Sequence, residues 1–206
     1  LRVSITIMVV LCFTGYLDQS QAQDLSSMYF GHSINLSKNK GVSEYASPAV
    51  SGNNVYVVWQ DNTTGNGDIY LRRSTDGGQV FNDILNLSNN TGSSQMPQIA
   101  VSGNNVYVVW LKNEGMYGQI FLTKSTDKGN TFDNPVVLTE DKDNPRHKLV
   151  FKPQITIDPR SNNVYVVWHS GRIVHQVDFN LDVLISDVLF TKSTDNGTTF
   201  DRVTNL

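Results

Sequence analysis

Short apolar runs alternate along this chain with breaks rich in Gly, Asn, Ser and Asp. The run VYVVW stands at 55–59, at 106–110 and at 164–168. In an extended strand Val55, Val57 and Trp59 point one way and Tyr56 and Val58 the other, so both sides are apolar. A strand of that kind must be covered on both faces. Each run follows a Gly/Asn break: VSGNNVYVVW at 50–59 recurs unchanged at 101–110, and SNNVYVVW stands at 161–168. Such a break between two apolar runs predicts a tight hairpin. A second apolar strand comes later in each copy (DIYLRRS, QIFLTKS, DVLFTKS), followed by a short closing strand such as NDILNLS or FDNPVVLTE. No segment shows a helical period. Each unit therefore reads as four short antiparallel strands.

The first two units are offset by 51 residues, from Val50 to Val101. Repetition at roughly 40–50 residues, with strands apolar on both sides, favours blades stacked around an axis over a sandwich. The expected fold class is all-β, a β-propeller of four-stranded antiparallel blades. Residues 48–96 form the first blade, 97–152 the second and 153–206 the third. The preceding 23–47 is a lead-in whose HSINLSKNKG resembles the unit-closing NLSNNTG at 86–92. Closed propellers have about four to eight blades, so three full units predict either a piece of a longer propeller or a chain that closes its ring by self-association.

Between the third and fourth strands of each unit stands an octapeptide: STDGGQVF at 74–81, STDKGNTF at 125–132 and STDNGTTF at 193–200. Four positions are shared: Ser74, Ser125 and Ser193; Asp76, Asp127 and Asp195; Gly78, Gly129 and Gly197; Phe81, Phe132 and Phe200. The Gly permits a tight-turn backbone. The Ser and Asp side chains can bond the turn's own amides, and the Phe packs the hairpin onto the blade. Calcium is the rival reading, but that ion takes six to eight oxygens and each copy offers one carboxylate, so no metal site is expected. The octapeptides resemble the Asp box, Ser-x-Asp-x-Gly-x-x-aromatic, of the sialidase-like bacterial-neuraminidase-repeat propellers, and the resemblance covers nearly the whole chain after residue 22. It implies the propeller fold and a scaffolding role for the boxes.

Strand parity puts the SGNN turns and the boxes at one end of the blades, and the loops between second and third strands, with the links between blades, at the other. Variation gathers at that other end. Trp59 to Ser74 and Trp110 to Ser125 are each 15 positions apart, while Trp168 to Ser193 is 25. The two long segments, TEDKDNPRHKLVFK and HSGRIVHQVDFNLDVLISD, carry the candidate binding residues Arg146, His147, His169, Arg172 and His175. Loops on a rigid scaffold are where binding usually resides; the alternative is that these segments are merely solvated. Trp59, Trp110 and Trp168 recur at one strand position, which predicts core packing.

Sialidases of the resembled family clamp the substrate carboxylate with three arginines and use a Tyr nucleophile with Glu and an Asp acid/base. Arg72, Arg73, Arg160 and Arg202 are expected in blades or near boxes, which leaves Arg146 and Arg172, and no Arg-Ile-Pro stretch occurs. No catalytic residue is assigned, and no cofactor is expected. Two readings remain: a non-catalytic module that binds glycan or a surface protein or serves as a structural repeat, and a fragment of an exo-α-sialidase-like glycoside hydrolase. A net charge of -3 with 39% hydrophobic residues argues against a nucleic-acid partner. Arg2, the apolar run 3–17 and SQAQ ending at Ala22 follow the order of a secretory signal peptide, and the run is short for a span of roughly 20 residues. The expected product is a secreted or cell-surface chain without a membrane span; a retained N-terminal anchor is the alternative. Cys12, the single cysteine, lies in that leader, so packing rather than disulfides must hold the rest. Asn35, Asn62, Asn86, Asn89 and Asn196 head Asn-x-Ser/Thr triplets, which are glycan acceptors in an exported chain or chance products of an Asn- and Ser-rich composition.

Overall fold

The computed structural model describes residues 32–114, 117–139, 149–176 and 181–206. The expected leader lies outside them, and among the described residues no helix is long and apolar enough to cross a membrane. The body, from Asn35 to Leu206, is all-β and consists of three four-stranded antiparallel sheets. The first holds β1 (Ser43–Ser51), β2 (Asn54–Asp61), β3 (Asp68–Ser74) and β4 (Leu85–Asn86). The second holds β5 (Ser93–Ser102), β6 (Asn105–Glu114), β7 (Tyr117–Ser125) and β8 (Val136–Val137). The third holds β9 (Leu149–Ile157), β10 (Val164–Gln176), β11 (Leu181–Ser193) and β12 (Thr204–Asn205). Within each sheet the strands pair in chain order. The first strands line up across the sheets, β1 against β5 and β5 against β9, as blades stacked around an axis require.

The first strand of each sheet begins before the expected blade starts at 48, 97 and 153, and each passes through a bulge. Register shifts fall between Glu44 and Ser47 and between Gln95 and Gln98, and the pairing of β10 with β9 shifts likewise between Val167 and His169. Tyr45, Met96 and Lys152 occupy the equivalent site in the three copies, with φ of 54°, 52° and 53°. A non-glycine residue in the left-handed region is uncommon; its recurrence at one site marks the bulge as part of the blade's design, bending the innermost strand.

Two clusters hold the blades together. Tyr56, Val58, Ile69 and Leu71 of the first blade pack on Ile99, Val106, Val108 and Trp110 of the second, with Phe132 against them. Tyr107, Val109, Leu111, Ile120 and Leu122 of the second pack on Val150, Val164, Val166 and Trp168 of the third, with Phe200 against them. The two-sided apolarity of VYVVW is thus used as two interfaces: one parity faces the following blade and the other the preceding one. All three tryptophans are buried. The octapeptide Phe plugs not only its own hairpin but the seam with the preceding blade.

The segment Trp168 to Ser193 departs from expectation. Its middle is not an irregular loop but a continuation of the blade's central hairpin. β10 and β11 each run thirteen residues and pair without a break from Val164↔Ser193 to Gln176↔Leu181. Polar residues scattered through HSGRIVHQ hide the strand in the sequence, yet β-branched residues on both arms sustain the ladder. β9 pairs with β10 only as far as Gly171↔Leu149. Beyond it the ribbon is two-stranded, and Ile173 and Leu184 are 62% and 51% exposed.

Candidate functional site

The three octapeptides share one geometry. Each Ser hydroxyl donates to its Asp Oδ1, at 2.6 Å in Ser74–Asp76, 2.7 Å in Ser125–Asp127 and 2.7 Å in Ser193–Asp195. The same hydroxyl accepts from the Gly amide four residues on, at 2.9, 2.8 and 2.8 Å. Asp Oδ1 then accepts two further amides: Gln79 and Val80, Asn130 and Thr131, Thr198 and Thr199. The Asp is the hub of a closed turn. The turn leans on the SGNN hairpin through Gly77 N to the Asn53 carbonyl and Lys128 N to the Asn104 carbonyl, at 2.9 and 2.8 Å, which puts both kinds of turn at one end of the blades.

These donors depress the carboxyl groups. In Asp127 the amide and hydroxyl of Thr131 lead, and the pKa falls from 3.8 to about 2. In Asp195 the Thr199 hydroxyl and amide hold the carboxyl below the usual carboxylate range. Asp76 is lowered by Ser74 and the Val80 amide, with Val80 in place of the threonine. A folded pKa below the unfolded one adds stability above pH 4 that is lost as pH falls through the folded value. The Asp127 carboxylate should therefore keep its charge down to about pH 2. In a carbon-13 titration of the Asp carboxyl groups, Thr131→Val, which keeps the amide and removes the hydroxyl, should move the Asp127 midpoint upward; an unmoved midpoint would show that the hydroxyl contributes nothing.

Two buried carboxylates escaped the sequence reading. Asp61 and Asp68 face each other across β2 and β3 and are 0% and 3% exposed. Asp61 accepts from Asn39 Nδ2, the Ser43 hydroxyl at 2.6 Å, Trp59 Nε1 at 3.4 Å, and the Thr63 amide at 2.9 Å and hydroxyl. Burial pushes its pKa up, but the Ser43, Thr63 and Asn39 donors outweigh it and hold the carboxyl at about 2. Asp68 accepts from Thr64 and Ser88 at 2.8 and 2.7 Å. A glycosidase pair must reach a substrate oxygen; this pair is sealed and anchors the 62–67 loop. Its sequence signal is the polar pair that ends β2 and begins β3, where the second blade has Lys112 and Gln119. There, and in the third blade, the indole N–H groups of Trp110 and Trp168 are buried without a partner among the described residues.

The structure treats the candidate binding residues unequally. Arg146 and His147 lie outside the described residues. The chain through them enters β9 at Leu149, which pairs with Gly171, the neighbour of Arg172. Arg172 and His175 are strand positions on β10, paired with Ile185 and Asp182, rather than loop residues as expected. His169 is half-buried and stacks on Phe151 at 5.4 Å and 15°. It occupies the site of Leu111, a core residue of the second blade, so packing accounts for it. Arg73 is engaged between blades, donating to the Lys128 carbonyl at 2.6 Å and to Asn130 Oδ1 at 2.7 Å. Among the described residues no group of three or more His, Cys, Asp or Glu gathers as a metal cluster.

No protein-family model matches the chain, and no curated protein sequence matches it. Solved structures do. A family 117 glycoside hydrolase of the marine bacterium Zobellia galactanivorans aligns with a TM-score of 0.53 at 10% identity, over 83% of this chain and 58% of its own. The GH93 α-L-arabinofuranosidase of Fusarium graminearum, with arabinobiose, aligns at 0.53 and 18% identity, over 79% and 48%. The Trypanosoma rangeli sialidase in complex with sialic acid aligns at 0.52 and 12% identity, over 77% and 30%. The chain thus spans between about a third and three fifths of the length of these structures. At such identities the likeness concerns the fold alone, a β-propeller of four-stranded antiparallel sheets.

Proposed function

We propose that the chain is an exported, non-catalytic Asp-box propeller module that binds an acidic glycan at the end of the blades opposite the octapeptides. One observation carries this reading. Scaffolding uses the repeated residues, while the sequence departs from the repeat in the segment 140–148 and in the extended β10–β11 ribbon, whose Gly171 pairs with Leu149, the next residue of the chain after that segment. Arg146, Lys148 and Arg172 belong to those segments. Guanidinium groups suit a sugar carboxylate because two N–H donors match its two oxygens. The burial of Asp61 and Asp68 and the structural employment of Arg73 support the non-catalytic part.

The test is binding of the full chain to an array of neutral, sialylated and uronate-bearing glycans, followed by titration of the hits. Acidic glycans should bind, and Arg172→Ala should weaken them about tenfold, the effect of losing one charge-assisted contact, with an unchanged circular dichroism spectrum. Binding that prefers neutral glycans, or that ignores Arg172→Ala, would overturn the site. Hydrolysis of a fluorogenic sialoside would replace the module with a sialidase-like enzyme.

A further inference from the structure

The far ends of the β2–β3 and β6–β7 hairpins, opposite the octapeptides, are built alike and filled differently. In the first blade Asn39 Nδ2, the Ser43 hydroxyl at 2.6 Å and Trp59 Nε1 at 3.4 Å all donate to one atom, Asp61 Oδ2. The second blade keeps the three donor residues at the repeat spacing of 51, as Asn90, Ser94 and Trp110 (39, 43 and 59, each plus 51). Their surroundings repeat as well. Trp59 stacks on Tyr70 at 6.1 Å and 26°, and Trp110 on Phe121 at 6.0 Å and 21°, so the two indoles are set alike. The covering segment makes the same turn: the Gly41 amide donates to Asn39 Oδ1 at 3.2 Å, and the Gly92 amide to Asn90 Oδ1 at 2.8 Å.

The acceptor does not repeat. Lys112 stands at the counterpart of Asp61, and Gln119, its partner across the hairpin, at that of Asp68. Asn90 Nδ2 turns instead to the Ser88 carbonyl and to Ser94 Oγ, at 3.1 and 3.2 Å. Trp110 is 1% exposed and Ser94 fully buried, yet the Trp110 indole N–H has no partner among the described residues. Buried donors left in that state are rare, and each calls for an explanation. The charge at this place is also reversed. Lys112 is half-buried, and its ammonium lies 5.4 Å from the centre of the Phe121 ring, the ring on which Trp110 stacks. The cation thus stands beside the unpartnered indole. The second blade has a neighbour on either side, so this place is not at an open end of the arc.

We infer that the second blade binds a carboxylate from outside the chain at the place that Asp61 fills in the first. Trp110 Nε1 and the Ser94 hydroxyl donate to one of its oxygens, and Lys112 supplies the opposite charge. The chain itself shows what these donors hold, since their first-blade counterparts converge on a carboxylate oxygen. An ammonium beside N–H and O–H donors suits such a group, because hydrogen bonds to an ionised acceptor are the stronger kind. The carboxylate can belong to a sugar acid or to a free organic acid, which present the same chemistry here. The site uses none of Arg146, Lys148 and Arg172, so it does not rest on the glycan reading above.

The experiment follows the indole N–H resonances of the full chain labelled with nitrogen-15. Tryptophan occurs three times, so single substitutions assign every signal. Sodium acetate should shift the Trp110 proton downfield and leave that of Trp59 in place. Lys112→Met should weaken the response about tenfold, the effect of losing one charge-assisted contact. Lys112→Asp should rebuild the first-blade arrangement: the Trp110 proton moves downfield with no acid added, and acetate no longer shifts it. Both variants should keep the circular dichroism spectrum. Glucuronic acid acting at lower concentration than acetate assigns the carboxylate to a sugar acid, and equal action assigns it to a free acid. A Trp110 signal that acetate does not move, one that chloride moves equally, or a response unchanged in Lys112→Met would each overturn the proposal. If Trp110 stays silent while glycans still bind through Arg172, this inference falls and the proposed function stands.

Discussion

Gly197→Ala loses about 3 kcal/mol of stability, the largest effect expected from a single methyl group in this chain. Two costs add. Gly197 has φ +70°, and holding an L side chain in the left-handed region costs roughly 1–2 kcal/mol. The new Cβ would also stand 2.7 Å from Cε1 and 3.3 Å from Cδ1 of Tyr107. That ring is fully buried and tied by its hydroxyl to the neighbouring Asn196 carbonyl. It cannot swing away without opening the seam between the second and third blades, and forced overpacking of this kind costs about 1–3 kcal/mol. Gly129→Ala, with a contact of 3.1 Å to Tyr56, should cost about 2 kcal/mol by the same reasoning. Gly103→Ala is the control: φ is +58° but nothing lies within 4 Å, so only the backbone cost of about 1 kcal/mol remains. Urea unfolding of the three variants checks the order. Equal losses at 197 and 103 would mean that the tyrosine seat contributes nothing.

Asp61→Ala is expected to cost about 3 kcal/mol, because one carboxylate satisfies donors from Asn39, Ser43, Trp59 and Thr63 and each buried donor left unpaired carries its own desolvation cost. Asp61→Asn should cost less, about 1–2 kcal/mol, since the amide oxygen still accepts while its NH₂ meets donors instead of acceptors. The pH dependence has a definite sign. The folded pKa of about 2 lies below the ordinary 3.8, so the contribution is present above pH 4 and disappears as pH falls towards 2. The wild-type chain should lose stability over that window and Asp61→Asn should lose less. Parallel acid curves would show that folding does not lower the Asp61 pKa.

The repeat made much of the fold legible. VYVVW is apolar on both parities, and a sheet strand with two apolar faces needs two covers; stacked blades supply them. The octapeptides were legible because every shared polar or glycine position acts locally. Ser and Asp bond amides two to four residues away, and Gly takes the positive φ. Contacts that short in sequence are set by residue type and spacing. The bulges at Tyr45, Met96 and Lys152 were not legible, since nothing about Tyr, Met or Lys announces a left-handed backbone. The β10–β11 ribbon was missed because its ladder depends on pairing between arms that read separately as polar and irregular.

The candidate site was legible only in outline. Strand parity named the end of the blades at which variation gathers, and the register of β9 on β10 agrees with it. His169 showed the limit: a histidine in a variable segment is a ligand candidate by composition, while its register places it on a packed face against Phe151. Asp61 and Asp68 showed the converse, two carboxylates whose signal in the sequence is a polar pair on either side of a loop, which gives no sign of burial.

By itself the sequence determined the repeat, the four-strand unit, the closed octapeptide turns and the all-β class, because these rest on periodicity and on hydrogen bonds between near neighbours. Only the tertiary structure decided which side of VYVVW meets which blade, and that Tyr56 and Tyr107 seat on glycines 73 and 90 positions further along the chain (129 less 56, 197 less 107). Such contacts depend on how one blade is set against the next, and no local preference of a residue encodes that placement.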